Sequence, residues 1–352
     1  MDASLAPDII ANSPMRLLPY ANLLAQARAG VTDVGIDALT YWLPASSPTL
    51  EELEQRGAVR GAAALASFGF RQARVAEADS HVDMAMHAVR ALLDETGTPP
   101  DEIDLVLYAG ALTSSSTMEI GPSPAGSVLH LREFMDFFKY PVSRLQSEFD
   151  LTSASVAGID QQGCAAIFSA IRLARATLLA EPDVRTVLCV SADRLPHDAS
   201  REVVYNLVSD GACAMLLRRS RRNRIVATHQ VTKGAFWDSG SLENEIIAAY
   251  FPTARTVIET TLRKAHVALD DIAWVIPHNV SLRSWEILLG LIGCPREKLF
   301  SANIGRVGHT IAADNFINLR DAADAGLLRK GDLLLLFTFG YGLNWSCMVV
   351  EH

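Results

Sequence analysis

Two observations on this 352-residue chain predict an α/β fold made of two related halves. Helical stretches alternate with short apolar runs, which is typical of βαβ units with buried, largely parallel sheets. The same order also occurs twice: a helical stretch at residues 84–93 leads to the run 101–107, and one at 256–268 leads to 270–276. With 49% hydrophobic residues, the chain is long enough to bury a large core.

The second part of each half repeats in the same way. A glycine precedes a residue with a reactive side chain, Cys164 or His309, and a helix-like stretch follows. An apolar strand and a closing strand come next, at residues 186–191 and 212–217 in the first half and at 333–338 and 345–350 in the second. The predicted halves therefore carry their reactive residues at equivalent places.

Charge and composition exclude several classes of function. The net charge of -9 argues against a nucleic-acid partner. No apolar run approaches the ~20 residues that span a bilayer, and the N-terminus lacks a signal-peptide pattern, so we expect a cytoplasmic protein without a membrane partner. The cysteines show no metal-binding spacing, and their odd number fits a reducing compartment. They are Cys164, Cys189, Cys213, Cys294 and Cys347.

Cys164 is the candidate nucleophile. It follows the β-like run 155–159 and precedes an amphipathic stretch from residue 165 to about 180, which places a thiol at a helix N-terminus. Free backbone N–H groups and the positive end of the helix dipole favour thiolate over thiol at such a position. The other cysteines in strand-like runs, Cys189, Cys213 and Cys347, are more typical of inert packing.

Two histidines complete the candidate site. His278 follows the apolar run 274–277 and therefore lies at the C-terminal end of a predicted strand. His309 stands in the segment 305–310, just before a helix-like segment. Together with Cys164, these residues suggest acyl-thioester chemistry, in which a thiolate attacks a thioester and positioned groups stabilise the charges that develop.

Four motifs carry a resemblance to a known family. In order along the chain they are residues 163–166, 277–283, 308–313 and 339–345, with Ser209-Asp210-Gly211-Ala212 between the first and the second. They resemble the thiolase superfamily, specifically β-ketoacyl-acyl-carrier-protein synthase III, from about residue 33 to the C-terminus. The resemblance implies a five-layered αβαβα fold of two pseudo-repeated halves, in which Cys164 and His309 converge on one cavity.

The resemblance also implies a division of the chain. Residues 1–32 are an N-terminal extension, 33–224 the half that carries the nucleophile, and 225–352 the half that carries both histidines. The first half contains an insertion at about 114–145, longer than the usual connection in this family. We expect it to form a lid or a pocket wall; the alternative is a surface decoration that extends the dimer contact.

The family's chemistry assigns a role to each site residue. Cys164 takes up the acyl group, and its own amide and the glycine-rich turn near Tyr341 form the oxyanion hole. In a condensation, a malonyl-type thioester loses CO₂, and two donors stabilise the resulting enolate. The family normally uses a histidine and an asparagine. Here His309 occupies the asparagine position, so that Cys164, His278 and His309 resemble the Cys-His-His set of chain-elongating synthases.

Partners follow from the same comparison. Arg283 occupies the position that helps to dock an acidic carrier in the family. Residues 62–70 lack the tryptophan and arginine that sandwich the adenine of coenzyme A. We therefore expect an acyl carrier protein as donor, with coenzyme A thioesters less favoured, and a homodimer without cofactor or metal.

Three functions stay open at this point. The leading interpretation is a condensing enzyme of secondary-metabolite or specialised fatty-acid biosynthesis, which joins the acyl group on Cys164 to a second thioester-bound unit. The first alternative is an acyltransferase that passes the acyl group to an amine, hydroxyl or carrier thiol without decarboxylation, with His278 as general base. The second alternative is a non-catalytic partner subunit of a heterodimeric synthase.

Overall fold

The computed structural model describes residues 33–112, 138–238, 240–341 and 343–352. The predicted extension 1–32 and residues 114–137 of the predicted insertion lie outside the described residues. The strands are β1 Gly35–Trp42, β2 Leu105–Ala109, β3 Ser155–Ile159, β4 Thr186–Asp193, β5 Glu202–Val203, β6 Asn206–Leu207, β7 Gly211–Arg218, β8 Arg224–Thr232, β9 Ile272–Pro277, β10 Leu333–Gly340 and β11 Asn344–Glu351.

The helices cover the strands and separate them. They are α1 Leu50–Gln55, α2 Ala62–Ser67, α3 His81–Thr96, α4 Pro141–Glu148, α5 Ala166–Ala180, α6 Glu243–Ala265, α7 Leu282–Ile292, α8 Ala302–Arg306 and α9 Asp314–Asp324. A short 3₁₀ turn, Gly163–Ala165, joins the segment after β3 to α5.

The sheet is mixed, which corrects the prediction of largely parallel sheets. Its order is β3-β2-β4-β7-β1-β8-β11-β10-β9. Only the pairs β2–β3, β2–β4 and β9–β10 are parallel in the described part; the others are antiparallel. The connections explain the difference. Strands β10 and β11 are joined by residues 341–343 alone, and a parallel pair would need a crossover of about a dozen residues or more.

The predicted repeat is visible in this strand order. The first half runs β3-β2-β4-β7-β1, and the second runs β9-β10-β11-β8 in the mirrored order. An isolated parallel bridge between Val275 of β9 and Leu299 stands where the second half has no counterpart of β3. Within the described part of the sheet, one register pair joins the two half-sheets, Gly35 of β1 with Arg224 of β8.

Three apolar cores define five layers. The central core packs α5 and α9 between the two half-sheets, with Phe168 against Phe316 at 5.6 Å between ring centroids. A second core packs α6 and α7 on the outer face of the second half-sheet, and a third packs α3 and α4 on that of the first. The order of layers is therefore αβαβα, which is the predicted thiolase fold.

Helix α5 is apolar on most of its surface because it is covered by both half-sheets. With its preceding turn, the segment Gly163–Ala180 has the length and apolar composition of a membrane span. Half of it, however, is buried inside the protein. Its place in the central layer accounts for this composition.

Candidate active site

The nucleophile candidate lies in a tight turn between β3 and α5. Gln161 and Gly163 both have positive φ, 62° and 53°, which turns the chain sharply into the helix. Cys164 is 8% exposed and stands in the 3₁₀ turn before α5, the position that the sequence predicts. Its Sγ is 3.4 Å from Nε2 of His309, so that the two halves of the fold meet at this pair.

His309 is held by strand-like backbone contacts, although the sequence places it just before a helix. Helix α9 begins only at Asp314. The His309 N–H donates to the carbonyl of Leu207 at 2.9 Å, and the Ser209 N–H donates to the His309 carbonyl at 2.8 Å. Gly308 has a φ of 78°, and a Cβ there would lie 2.6 Å from the Ser209 hydroxyl. Only glycine therefore brings His309 this close to the start of β7.

Asp314 is a site residue that the sequence analysis missed. One of its carboxylate oxygens is 2.5 Å from Nδ1 of His309 and also accepts the Asn279 N–H at 2.6 Å. The other oxygen accepts the Thr310 N–H and hydroxyl, both at 2.6 Å. Cys164, His309 and Asp314 thus form one hydrogen-bonded chain. In sequence, Asp314 resembles an ordinary first-turn carboxylate of a helix; its spacing of five residues from His309 is the signal that could have found it.

In this series of hydrogen bonds, the charges of His309 and Asp314 stabilise each other. Burial by itself would lower the pKa of His309, but the charges of Asp314 and Cys164 and its hydrogen bonds to both raise that pKa well above the ordinary value. Burial would raise the pKa of Asp314, and the charge of His309 and the hydrogen bonds it accepts lower it instead. The geometry therefore favours an imidazolium that donates Nδ1–H to a carboxylate.

His278 has the opposite electrostatic character. It directly follows β9 and is fully buried, with its ring 6.1 Å from the His309 ring and 5.7 Å from that of Trp285. Burial and the charge of His309 lower its pKa to about 3, so the ring is neutral at physiological pH. Neither ring nitrogen has a partner at full hydrogen-bond geometry within the described part of the chain, although the nearby Phe337 backbone acts weakly against the lowering of the pKa. A neutral imidazole with free nitrogens can donate to a substrate oxygen.

Buried amides fix the two histidine-bearing segments to each other. The Asn279 amide donates to the Gly308 carbonyl at 2.9 Å. The Asn318 amide of α9 donates to the Asn279 side-chain oxygen at 2.8 Å and to the Pro277 carbonyl at 2.7 Å. Because such bonds are costly to break inside a protein, they hold the histidine positions relative to each other.

At the place of the predicted oxyanion hole, the backbone of one turn packs directly on the backbone of another. A Cβ on Gly340 would lie 2.6 Å from the Cys164 nitrogen, and one on Gly163 would lie 2.6 Å from the Tyr341 nitrogen. The two glycines therefore bring the amides of Cys164 and Tyr341 next to each other. The Tyr341 side chain is 38% exposed, and burial and the nearby Cys164 raise its pKa to about 12.

A second buried carboxylate, Asp193 at the end of β4, also escaped the sequence analysis. It accepts the Ala111 N–H at 2.9 Å and the Leu112 and Ala312 N–H groups at 3.4 Å each. Burial raises its pKa to about 6, against the effect of these bonds. Asp193 links the segment after β2 to the loop between His309 and Asp314.

The remaining predicted residues lie apart from this centre. Arg283, at the start of α7, is exposed at the surface and forms an ion pair with Glu286 at 3.4 Å. Burial raises the pKa values of Cys189, Cys213 and Cys347, the last to about 12, as inert packing cysteines require. Within the described residues, no group of three histidine, cysteine or acidic side chains is arranged to hold a metal ion.

Comparisons with known proteins agree with the fold. Two family profiles match the chain: 3-oxoacyl-[acyl-carrier-protein] synthase III over residues 160–234, and the C-terminal part of the same family over residues 262–352. A β-ketoacyl-[acyl-carrier-protein] synthase III of Aquifex aeolicus is 25% identical over 297 residues, which cover 81% of this chain and 88% of that protein.

Solved structures show the same fold. ChlB3, described as an acyltransferase, superimposes with a TM-score of 0.77 at 24% identity and covers 91% of this chain and 97% of its own. The 3-oxoacyl-[acyl-carrier-protein] synthase III of Aquifex aeolicus gives a TM-score of 0.73 at 21% identity and covers 91% and 100%.

Fold, site and comparisons together define an enzyme of acyl-thioester chemistry, either condensing or acyl-transferring. The chain has the thiolase fold and is similar in sequence to the β-ketoacyl-acyl-carrier-protein synthases III.

Proposed function

We propose that this protein is an acyltransferase that takes an acyl group from a carrier-bound thioester onto Cys164 and passes it to a hydroxyl or amine acceptor. The observation that carries the proposal is the hydrogen-bonded chain of Cys164, His309 and Asp314. A thiol, an imidazole and a carboxylate in this order are the parts of a nucleophile with its own general base and an orienting group.

The first half-reaction forms the acyl-enzyme. Nε2 of the His309 imidazolium already holds the proton that Cys164 has given up, and the Sγ anion beside it attacks the thioester carbonyl. The oxyanion accepts the N–H groups of Cys164 and Tyr341, and the carbon–sulfur bond to the carrier then breaks. The departing carrier thiolate takes the proton from His309 and leaves as a thiol.

The second half-reaction returns the enzyme to its starting state. The acceptor's hydroxyl or amine attacks the acyl carbonyl and gives its proton to Nε2 of His309. The bond to Sγ breaks, an ester or amide is released, and the sulfur is again an anion beside the protonated His309. Asp314 accepts Nδ1–H throughout and so keeps Nε2 directed at the sulfur.

In this mechanism the general base is His309. The sequence analysis had named His278 for that role in acyl transfer. With a pKa lowered to about 3, His278 is a poor proton acceptor at neutral pH. The partners of His309 also favour acyl transfer over condensation, because both of its ring nitrogens are already engaged, one by Asp314 and one by Cys164. Of the similar structures, ChlB3 is itself described as an acyltransferase.

Condensation is the second candidate, and His278 is the observation that favours it. Its neutral ring, with both nitrogens free in the described structure, can donate to an enolate formed by loss of CO₂. In that case the product belongs to secondary-metabolite or specialised fatty-acid biosynthesis. The assembled Cys164–His309–Asp314 chain argues against a non-catalytic partner subunit, which has no need of it.

The donor and the assembly are part of the same proposal. Several relatives are named for an acyl carrier protein, and exposed Arg283 offers a cation to such an acidic partner. We keep coenzyme A thioesters as the less favoured donor. Strand β3 lies at the edge of the sheet, where its free backbone groups can pair with a second copy in a homodimer. A cytoplasmic location stays a prediction.

Donor turnover by wild type and three variants tests the function. With an acyl-carrier donor and an amine or alcohol acceptor, wild type should gain acyl mass on Cys164 and release an ester or amide; Cys164→Ala should gain none. His309→Ala should slow acylation about a hundredfold, and His278→Ala should slow it far less.

The same proteins separate the two candidates with a malonyl-carrier donor. If wild type releases CO₂ and His278→Ala does not, the protein is a condensing enzyme and the acyl-transfer proposal is wrong. Equal acyl labelling of wild type and Cys164→Ala would reject both.

A further inference from the structure

A cavity of about 860 Å³ lies in the first half of the molecule, next to residues that pack against Cys164. It is formed at the C-terminal ends of β2, β3 and β4 and is bordered by the N-terminal ends of α3 and α4. Pockets of roughly 300 to 1,000 Å³ hold drug-sized ligands, so this cavity is far larger than an acetyl group requires.

Two leucines connect the cavity with the nucleophile. Leu112 and Leu195 line the cavity, and both pack against the apolar cluster of Cys164, Val208 and Ile311. Asp193, which also lines the cavity, is bonded to the loop between His309 and Asp314 through Ala312. An acyl group on Cys164 that extends between the two leucines therefore points into the cavity.

The cavity wall contains buried donors without partners. Arg194 forms no ion pair with any described residue; its Nη2 is 2.7 Å from Nε2 of His197, and its buried Nε has no hydrogen-bond partner there. The buried Nε2 of His81 has none either, and burial lowers the pKa of His81 to about 4, so its ring is neutral. Asp193 in the same wall already accepts three backbone N–H groups.

We propose that this cavity receives the acyl group of the donor, and that the far part of that group carries a hydrogen-bond-accepting oxygen, which Arg194 and His81 bind. The proposal rests on acyl transfer to Cys164 and names the class of substrate for that site. The oxygen belongs either to a carboxylate or to a neutral carbonyl or hydroxyl. A plain alkyl chain would bury both nitrogens without partners, whereas an oxygenated chain supplies the acceptor.

Matched thioester donors test the proposal. The probes are N-acetylcysteamine thioesters of four acyl groups of equal length: octanoyl, hydroxyoctanoyl, oxooctanoyl and octanedioic acid, the last as the mono-thioester with its second carboxylate free. The measurement is the initial rate at which Cys164 gains acyl mass. Wild type should acylate with at least one oxygenated donor about tenfold faster than with octanoyl. The donor that wins shows whether the oxygen is charged or neutral.

Variants locate the source of the preference. Arg194→Met keeps the apolar stem without the charge, and His81→Phe keeps the ring without its nitrogens; each should bring the ratio of oxygenated to octanoyl rates down toward one. Arg194→Lys should retain part of the preference for a carboxylate. Arg185→Met is the matched control, because Arg185 is exposed and paired with Asp104 outside the cavity, and it should keep the wild-type ratio.

Two results would overturn the proposal. One is a wild type that acylates with octanoyl at least as fast as with every oxygenated donor. The other is a ratio that stays unchanged in both Arg194→Met and His81→Phe. In either case acyl mass on Cys164 from octanoyl still supports the acyltransferase, whereas a wild type that gains no acyl mass from any donor rejects that function instead.

Discussion

Asp314 determines what His309 can do. Without the carboxylate, His309 would be a buried imidazole whose burial lowers its pKa, as it does for His278. With it, Nδ1 is held as a donor and Nε2 is left facing the Cys164 sulfur at 3.4 Å. Two histidines in one site thus have pKa values displaced in opposite directions, which is a common way for an enzyme to separate a proton carrier from a neutral donor.

The first prediction concerns this carboxylate. Asp314→Asn should slow acylation of Cys164 at least about a hundredfold, because an amide neither fixes the tautomer of His309 nor supports its charge. Since the anion that raises the pKa of His309 is gone, His309 should also lose its proton at lower pH than in wild type. The measurement is the rate of acyl-enzyme formation as a function of pH.

A neighbour on the same helix is the control for Asp314→Asn. Asp324 is exposed and pairs with Arg320 at the other end of α9, so Asp324→Asn should keep the wild-type rate and pH profile. An Asp314→Asn protein with an unaltered pH profile would mean that Asp314 acts only as a helix-terminal carboxylate.

Sequence reasoning predicted the ionisable residues that carry motifs and missed those that act through space. Cys164, His278 and His309 lie in short motifs, and the structure brings His309 to Cys164 and the His278 ring to within 6.1 Å of that of His309. Asp193 and Asp314 lie at an apolar strand end and a helix start, where acidic residues are common. The contact of Asp193 with Ala312 arises only when the two halves pack together, and no local pattern records it. The contact of Asp314 with His309 is local, but it depends on how the chain turns between the two residues.

At the scale of elements, the backbone of the β10–β11 turn is part of the site. Gly340 and Gly163 let this turn touch the turn that carries Cys164, and neither contact leaves room for a side chain. The predicted run 155–159 and strand β3 coincide, whereas the sequence analysis did not predict β1, β5, β6 and β8. It did not predict the strand directions, because the mixed sheet depends on which strands become neighbours rather than on their own residues.

The second prediction tests this contact. A methyl group on Gly340 would lie 2.3 Å from the Gln162 carbonyl and 2.6 Å from the Cys164 nitrogen, so Gly340→Ala should push the two turns apart and open the oxyanion hole. We expect a loss of about a hundredfold in the rate of Cys164 acylation, the cost of one oxyanion donor.

Gly290→Ala is the matched control for Gly340→Ala. Gly290 lies inside α7, and a Cβ added there would have no other atom within 4 Å. Alanine there should leave the acylation rate unchanged and stabilise the helix by about 0.5 to 1 kcal/mol. A Gly340→Ala protein with a wild-type rate would show that the amides of Cys164 and Tyr341 do not act together.

At the scale of the whole molecule, the site is built at the expense of stability. Asp193 is a buried carboxyl whose pKa is raised from 3.8 to about 6. Between these values the folded protein holds a proton that the unfolded chain has released. Its contribution to the free energy of unfolding therefore falls as pH rises from about 4 to about 6, by roughly 3 kcal/mol in total.

The third prediction follows from that sign. Asp193→Asn does not titrate, so the free energy of unfolding of the variant, relative to wild type, should increase across this pH range by up to about 3 kcal/mol. Urea unfolding at a series of pH values measures the difference. The exposed Asp101→Asn variant serves as control and should follow wild type. Parallel curves for wild type and Asp193→Asn would show that Asp193 does not titrate in this range.

The last prediction concerns assembly. If two copies pair through the edge strand β3, the exposed Gly158 of one copy meets the same strand of the other. A single copy of the protein has room for a side chain at this position, because a Cβ added to Gly158 would have no other atom within 4 Å. Gly158→Lys should therefore fold normally but place two like charges across the dimer axis, which destabilises pairing. Sedimentation should show a wild-type dimer and a monomeric variant, and the variant should unfold at a lower temperature.

Gly234→Lys is the control for Gly158→Lys. Gly234 has equal space for a side chain but lies in a 3₁₀ turn outside β3, so this variant should remain dimeric. A Gly158→Lys dimer as stable as wild type would place the subunit contact on another face, and a monomeric wild type would reject the homodimer.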